Sequence, residues 1–237
     1  MNYFKLFIPP ILFILIKKLG IKICFNNSEK IIVNPLLVNS YSQYHEDLII
    51  DSILNKENGF YVDIGANDPV HLSNTKRFYD KGWMGINIEP QSFKISDFER
   101  QRERDINLNF GIGPLDGHME FFELDISPLS SFSKQIALEN CKKFKAKVND
   151  VKKVPVRRLE SVLMEYLPPG IKIDFFSIDT EGFEMEVLES NNWDIYRPKL
   201  IVVEYGNKIS EISNFLISKR YNLIFKNGCN LIFKELG

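Results

Sequence analysis

Carboxylates stand at the ends of four apolar runs in this chain. "GFYVDIGANDP" (59–69) carries a strand-like run into Asp63, a turn at Gly65 and the polar pair Asn67–Asp68. "MGINIEP" stops at Glu89, "IDFFSIDTEGFE" at Asp179, Glu181 and Glu184, and "KLIVVE" at Glu204. Glycine at such a point lets the backbone bend sharply or come close to a ligand. An acid ending a second strand, here 26 residues after Asp63, can accept both hydroxyls of a ribose. Acids beside a weakly acidic hydroxyl can remove its proton. An oxygen-rich set such as Asp179, Glu181 and Glu204 also suits a divalent cation, and helix capping is the structural alternative for Glu181 and Glu184.

The elements that must position these groups alternate. Helical spacing runs through "QYHEDLIIDSIL", a strand through "FYVDI", a helix through "NTKRFYDKG" and a second strand through "MGINIEP". A charged helix, "FKISDFERQRERD", precedes a third strand, "INLNFGI", and then "GHMEFFEL". Residues 127–153 read as polar and irregular, with a basic run from Lys142 to Lys153. "VPVRRLESVLMEYL" follows as strand and helix, then "IDFFSID", "EMEVLESNNW", "KLIVVE" and "ISEISNFLISK". Continuous apolar strands separated by helices predict an α/β fold with a parallel sheet covered on both faces. "YNLIFK" and "NLIFK" around Asn227–Gly228 predict an antiparallel hairpin closing that sheet. Such an ending suits a Rossmann-like methyltransferase fold better than a dinucleotide dehydrogenase.

The loop after the first strand lacks the second and third glycines of the dinucleotide fingerprint, and no Gly-Lys-Ser/Thr phosphate loop is present in the sequence. It suits a ligand with a cationic amino-acid end and a ribose. Asp63, Gly65, Asn67 and Glu89 together point to S-adenosylmethionine. Gly111, after the third strand, fits the edge of an adenine, with a plain turn as the alternative.

The separated motifs "SQYHED" (42–47), "FYVDIGANDPVHLSNT" (60–75), "KGWMGINIEP" (81–90), "VPVRRLESVL" (154–163), "FFSIDTEGFEMEVL" (175–188) and "IVVE" (201–204) occur in one order. In this the chain resembles the FkbM-type methyltransferase family over roughly residues 40–207. The resemblance implies a class I methyltransferase fold and methyl transfer from S-adenosylmethionine, usually to oxygen, with sugars and polyketide-type products as acceptors. It also implies that Gln43 and Glu46 lie near the cofactor. His45 departs from the family, which commonly has glycine there. The base expected on the acceptor side is Asp179 or Glu181, with Glu204 and His71 as further candidates; a divalent cation held by the same acids is the competing role. A non-catalytic adenosyl-binding protein and a nucleotide-sugar oxidoreductase are the rivals from other classes.

The bulk numbers agree with one domain. The chain has 237 residues, 44% of them hydrophobic, and a formal net charge of −1, which gives no field favouring nucleic acid. No aromatic platform accompanies the lysines of 142–153, so that run reads as a solvated face or as a lid over a phosphorylated acceptor. Cys24, Cys141 and Cys229 are odd in number and far apart, which predicts neither disulfides nor a metal site and a reducing, cytoplasmic setting. "LFIPPILFILI" (6–16) with Lys17, Lys18 and Lys22 is shorter than the roughly 20 apolar residues of a membrane span. It reads as a helix on the core or as a peripheral membrane contact within residues 1–25. The expected division is therefore an N-terminal segment, 1–39, and a methyltransferase domain, 40–237.

Overall fold

A computed structural model describes residues 40–236; the apolar segment Leu6–Ile16, the lysines after it and Cys24 lie outside the described residues. The first half runs α1 (Glu46–Leu54), β1 (Phe60–Ile64), α2 (Lys76–Asp80), β2 (Met84–Ile88), α3 (Ser92–Gln101), β3 (Ile106–Leu108), β4 (Gly111–Ile112) and β5 (Gly117–Leu124). After a 3-10 turn at Ser127–Leu129 come α4 (Lys134–Phe144), β6 (Val148–Arg157), α5 (Leu159–Tyr166), β7 (Phe175–Ile178) and α6 (Glu184–Glu189). The chain then forms β8 (Leu200–Glu204), α7 (Ile209–Ser218), β9 (Tyr221–Asn227) and β10 (Asn230–Glu235).

The main sheet has seven strands in the order β3-β2-β1-β7-β8-β10-β9. Its first five are mutually parallel, and β10 runs antiparallel to both β8 and β9. This is the parallel α/β sheet closed by a hairpin that the sequence predicts. The strand order turns back at β1, between β2 and β7, so a crevice opens above their carboxyl ends. Side chains alternate across the sheet. Val62 and Ile64 join Ile86, Ile88, Phe176 and Ile178 in one core layer, while Tyr61 packs with Phe78, Trp83 and Phe175 in the other.

Three expectations change. "INLNFGI" is not one strand: β3 ends at Leu108, and β4 belongs to a second sheet of order β4-β6-β5. The Asn109 side-chain amide donates to the carbonyls of Glu89 and Pro90 at 2.9 and 3.1 Å, which turns the chain out of the first sheet. The stretch 127–153 is not irregular, since it holds α4 and most of β6. Residues 148–153 are exposed, so the strand carries no apolar alternation, and pairing with β5 holds it instead. Lys152 there meets Glu123 at 2.6 Å. In the hairpin, Asn227 pairs with Asn230 and the turn residues are Gly228 and Cys229. Gly228 is required by close approach, because a Cβ on it would stand 2.4 Å from the Tyr44 ring.

Gly65 carries the sharpest backbone demand. Its φ is +76°, and an added Cβ would lie 1.8 Å from the carbonyl oxygen of Asp179. Left-handed strain costs a side chain of the order of 1–3 kcal/mol, and here a backbone clash adds to it. Gly65→Ala is therefore expected to destabilise the fold by about 3 kcal/mol or more, read as a shift in the urea unfolding midpoint. Wild-type stability in that variant would show that the loop has another way to close.

Candidate active site

The crevice at the carboxyl ends of β1 and β2 opens into a cleft lined among others by Gly65, Asn67, Glu89, Gln91, Phe110, Gly111, Asp179 and Glu181. Gly65 and Ala66 are pinned by N–H bonds to the Ile88 carbonyl at 3.0 and 3.1 Å, so the loop lies across the end of β2. Glu89 is buried there, its Oε2 accepting from the Asn67 N–H at 2.9 Å and its Oε1 from the Gln91 N–H at 2.8 Å. Burial raises its carboxyl to about 7 against the opposing pull of those two N–H groups. Each carboxylate oxygen keeps a lone pair for a further donor. Asn67 has a φ of +51°, and its buried side-chain oxygen has no hydrogen-bond partner in the protein. Buried acceptors of this kind are ordinarily paired, so this one has room for a donor.

Asp63 does not line this cleft. By strand alternation its side chain shares the Tyr61 side of the sheet, where Thr75 Oγ1 donates to Oδ2 at 2.7 Å. Burial raises its carboxyl all the same. The Thr75 bond ties β1 to the start of α2. Gln43 and Glu46 also stand apart from the cleft. Glu46 is buried, taking the Tyr44 N–H on Oε2 at 2.9 Å and the Asn227 and Asn230 amides on Oε1 at 3.0 and 2.9 Å. Gln43 approaches the Cys229 thiol at 3.7 Å. These two therefore sit by the hairpin turn, on the far side of β8. His71 is exposed and its backbone bonds Asp68. At His45 the φ is +68°, a geometry that glycine reaches without strain.

Sequence reasoning missed Gln91, which lines the cleft while exchanging bonds with Ser127, and it missed Arg102. The Arg102 guanidinium is fully buried and donates twice to the Pro69 carbonyl, at 2.9 and 2.6 Å, and to Ser73 at 3.1 Å. It fixes the loop after Asn67. Nothing local in "FERQRERD" sets it apart from the arginines on either side, which lie at the surface.

At the ends of β7 and β8, where Asp179 and Glu181 line the cleft, these two and Glu204 each offer a carboxylate oxygen within 4.8 Å of the others. Glu181 is held at φ +50°. Ser131 Oγ donates to its carbonyl at 2.7 Å, and Glu184 gathers the Thr180 and Gly182 N–H groups at 3.1 and 2.9 Å. Glu184 is therefore the acid that ties the loop. Burial first, then the charges of Glu204, Glu184 and Asp63, push the Asp179 carboxyl well above the usual carboxylate range. Burial and Asp179 raise Glu181 to about 8, and burial with Glu181 and Glu184 raises Glu204 to about 8; Lys143 opposes both. The carboxyls of Asp179 and Glu204 are close enough to shift each other's titration. Like charges this close cannot all ionise.

A seven-stranded sheet with this order and terminal hairpin, with a cleft at the ends of its first two strands, is the Rossmann-like methyltransferase fold. Residues 63–224 match the family described as Methyltransferase FkbM domain, and the chain belongs to that family. A search of curated proteins found no match. Among solved structures, the ribosomal protein L11 methylase from Lactobacillus delbrueckii subsp. bulgaricus superposes with a TM-score of 0.39 at 7% identity, over 81% of this chain and 78% of that one. The cleft fits the cofactor, since Glu89 retains acceptor capacity for a ribose diol and the unpartnered Asn67 oxygen suits an ammonium donor.

Proposed function

We propose that the protein is an O-methyltransferase acting on a hydroxyl of a sugar, glycan or glycan precursor. Glu89 holds the ribose of S-adenosylmethionine, Asn67 its amino-acid end, and Gly111 the side of the adenine. The cofactor supplies an electrophilic methyl group. The acids at the edge of the cleft orient the acceptor hydroxyl and take its proton. Orientation contributes on the order of 7–11 kcal/mol to such a displacement, and a positioned base roughly 10²–10⁴-fold in rate. The observation that carries this reading is the acidic triad, tuned upward by burial and mutual repulsion at the edge of the cleft. A carboxyl near 8 is far better matched to a hydroxyl proton than an ordinary one.

The same spacing favours a second reading, in which the three oxygens hold a divalent cation that binds the acceptor. Mass spectrometry of surface glycans from a deletion strain is expected to show loss of one methyl mass from a defined sugar, and an unchanged glycan profile would overturn the acceptor class. Turnover that survives EDTA supports the base; turnover lost to EDTA and restored by Mg²⁺ supports the cation. A cytoplasmic setting with peripheral membrane contact through residues 1–25 belongs to the same proposal. Among the described residues no helix is long and apolar enough to cross a membrane.

A further inference from the structure

The loop before α1 and the hairpin turn build a wall beside the acidic triad that the transfer chemistry leaves unused. Glu204 pairs in register with Asn230, and the Tyr205 N–H donates to the Cys229 carbonyl at 3.0 Å, so the end of β8 is stitched to the turn. Tyr205 Oη donates to the Gly228 carbonyl at 2.7 Å. On the other side of Gly228 stands the Tyr44 ring, seated where any Cβ would collide with it. The backbone of Tyr44 is clamped twice: its N–H by Glu46 at 2.9 Å and its carbonyl by the Asn227 amide at 3.3 Å. Yet the residue is 41% exposed. A lone exposed aromatic residue needs no explanation. This one is held by the buried Glu46 and by Asn227. Asn230 bonds the same Glu46, and the Gln43 amide lies against the Cys229 thiol in the turn that is stitched to the end of β8.

We infer that the Tyr44 ring, with Gln43 and the Gly228–Cys229 turn, forms a shelf for the apolar face of a pyranose ring whose hydroxyls reach the acidic triad. A pyranose presents C–H bonds on one face and hydroxyls around its rim. A fixed aromatic ring beside polar acceptors matches both, and the entropy of fixing that ring is already met in the free protein. The inference rests on the acceptor class proposed above and adds the surface that selects it. It also gives Gln43 and Glu46 work on the acceptor side.

Saturation-transfer NMR on the full-length protein with bound S-adenosylhomocysteine tests this, using methyl glycosides of glucose, rhamnose and fucose as probes. Saturation of ring C–H protons of at least one probe is expected. Tyr44→Ala should weaken that binding about 5- to 10-fold, the scale of one aromatic contact, while Tyr44→Phe retains it. Calorimetric affinity for S-adenosylhomocysteine should be unchanged in both variants, which also reports that they are folded. Equal glycoside binding by Tyr44→Ala, or no saturation of any probe by a protein that binds the nucleoside, would overturn the shelf. Failure to bind the nucleoside at all, with glycoside binding intact, would overturn the methyl-transfer reading and leave the shelf standing.

Discussion

Glu89→Ala is expected to weaken S-adenosylmethionine binding by roughly 100-fold or more, on the scale of two hydrogen bonds to a charged group at about 1.5–3 kcal/mol each. The carboxylate is buried, with one lone pair of each oxygen committed to the Asn67 and Gln91 N–H groups. What remains points to a pair of donors, which a ribose diol supplies. The substitution also frees both N–H groups, so part of the loss comes through a looser loop. Glu89→Gln separates the two effects: it keeps the shape and one acceptor oxygen, and its loss should be intermediate. The pH dependence follows from a carboxyl near 7. Above that value the acid is ionised and accepts at both oxygens; below it one oxygen carries a proton. Affinity should fall as pH drops from 8 to 6, measured by calorimetry. Unchanged affinity in Glu89→Ala would remove the cleft as the nucleoside site.

The place of Glu89 in the cleft was legible in the sequence because the acid ends an unbroken apolar strand. Asp63 was legible only in type. It ends the neighbouring strand, but its place two residues from Tyr61 sends it to the opposite layer, onto the hydroxyl of Thr75. The central strands declared themselves through unbroken apolar runs, since a sheet covered on both faces admits little else. Strand β6 did not, because its first six residues are solvated on both sides and are held by pairing rather than burial. Pairing leaves no mark on the strand's own composition. The acceptor wall was hidden for a similar reason. Tyr44 and Gly228 are 184 positions apart, and only the folded hairpin shows why a glycine sits under that ring. Arg102 reads as one more surface charge until the loop it holds is seen.

Glu181→Gln is expected to lower kcat by roughly 10²–10³-fold, within the range for loss of a positioned base, with cofactor affinity unchanged. Asp179, Glu181 and Glu204 share too little space to ionise together, and Lys143 is the cation that opposes the raised carboxyls of Glu181 and Glu204. A base must first lose its proton, so the rate should climb as pH rises through about 8, the value to which Glu181 and Glu204 are pushed. Stability should move the other way. Between the unfolded carboxyl value of 4.5 and about 8 the folded protein holds more protons than the unfolded chain, and stability falls with pH wherever that is so. The melting temperature should therefore decline from pH 5 to pH 9, across the interval in which activity appears. Glu181→Gln removes one of the crowded acids, so it should be the less active and the more stable protein at pH 9, with a flatter melting profile. A variant that lost activity and stability together would mean that Glu181 serves the loop rather than the proton. Crowding three acids costs stability at the pH where they work, and a purely structural loop gains nothing from that arrangement.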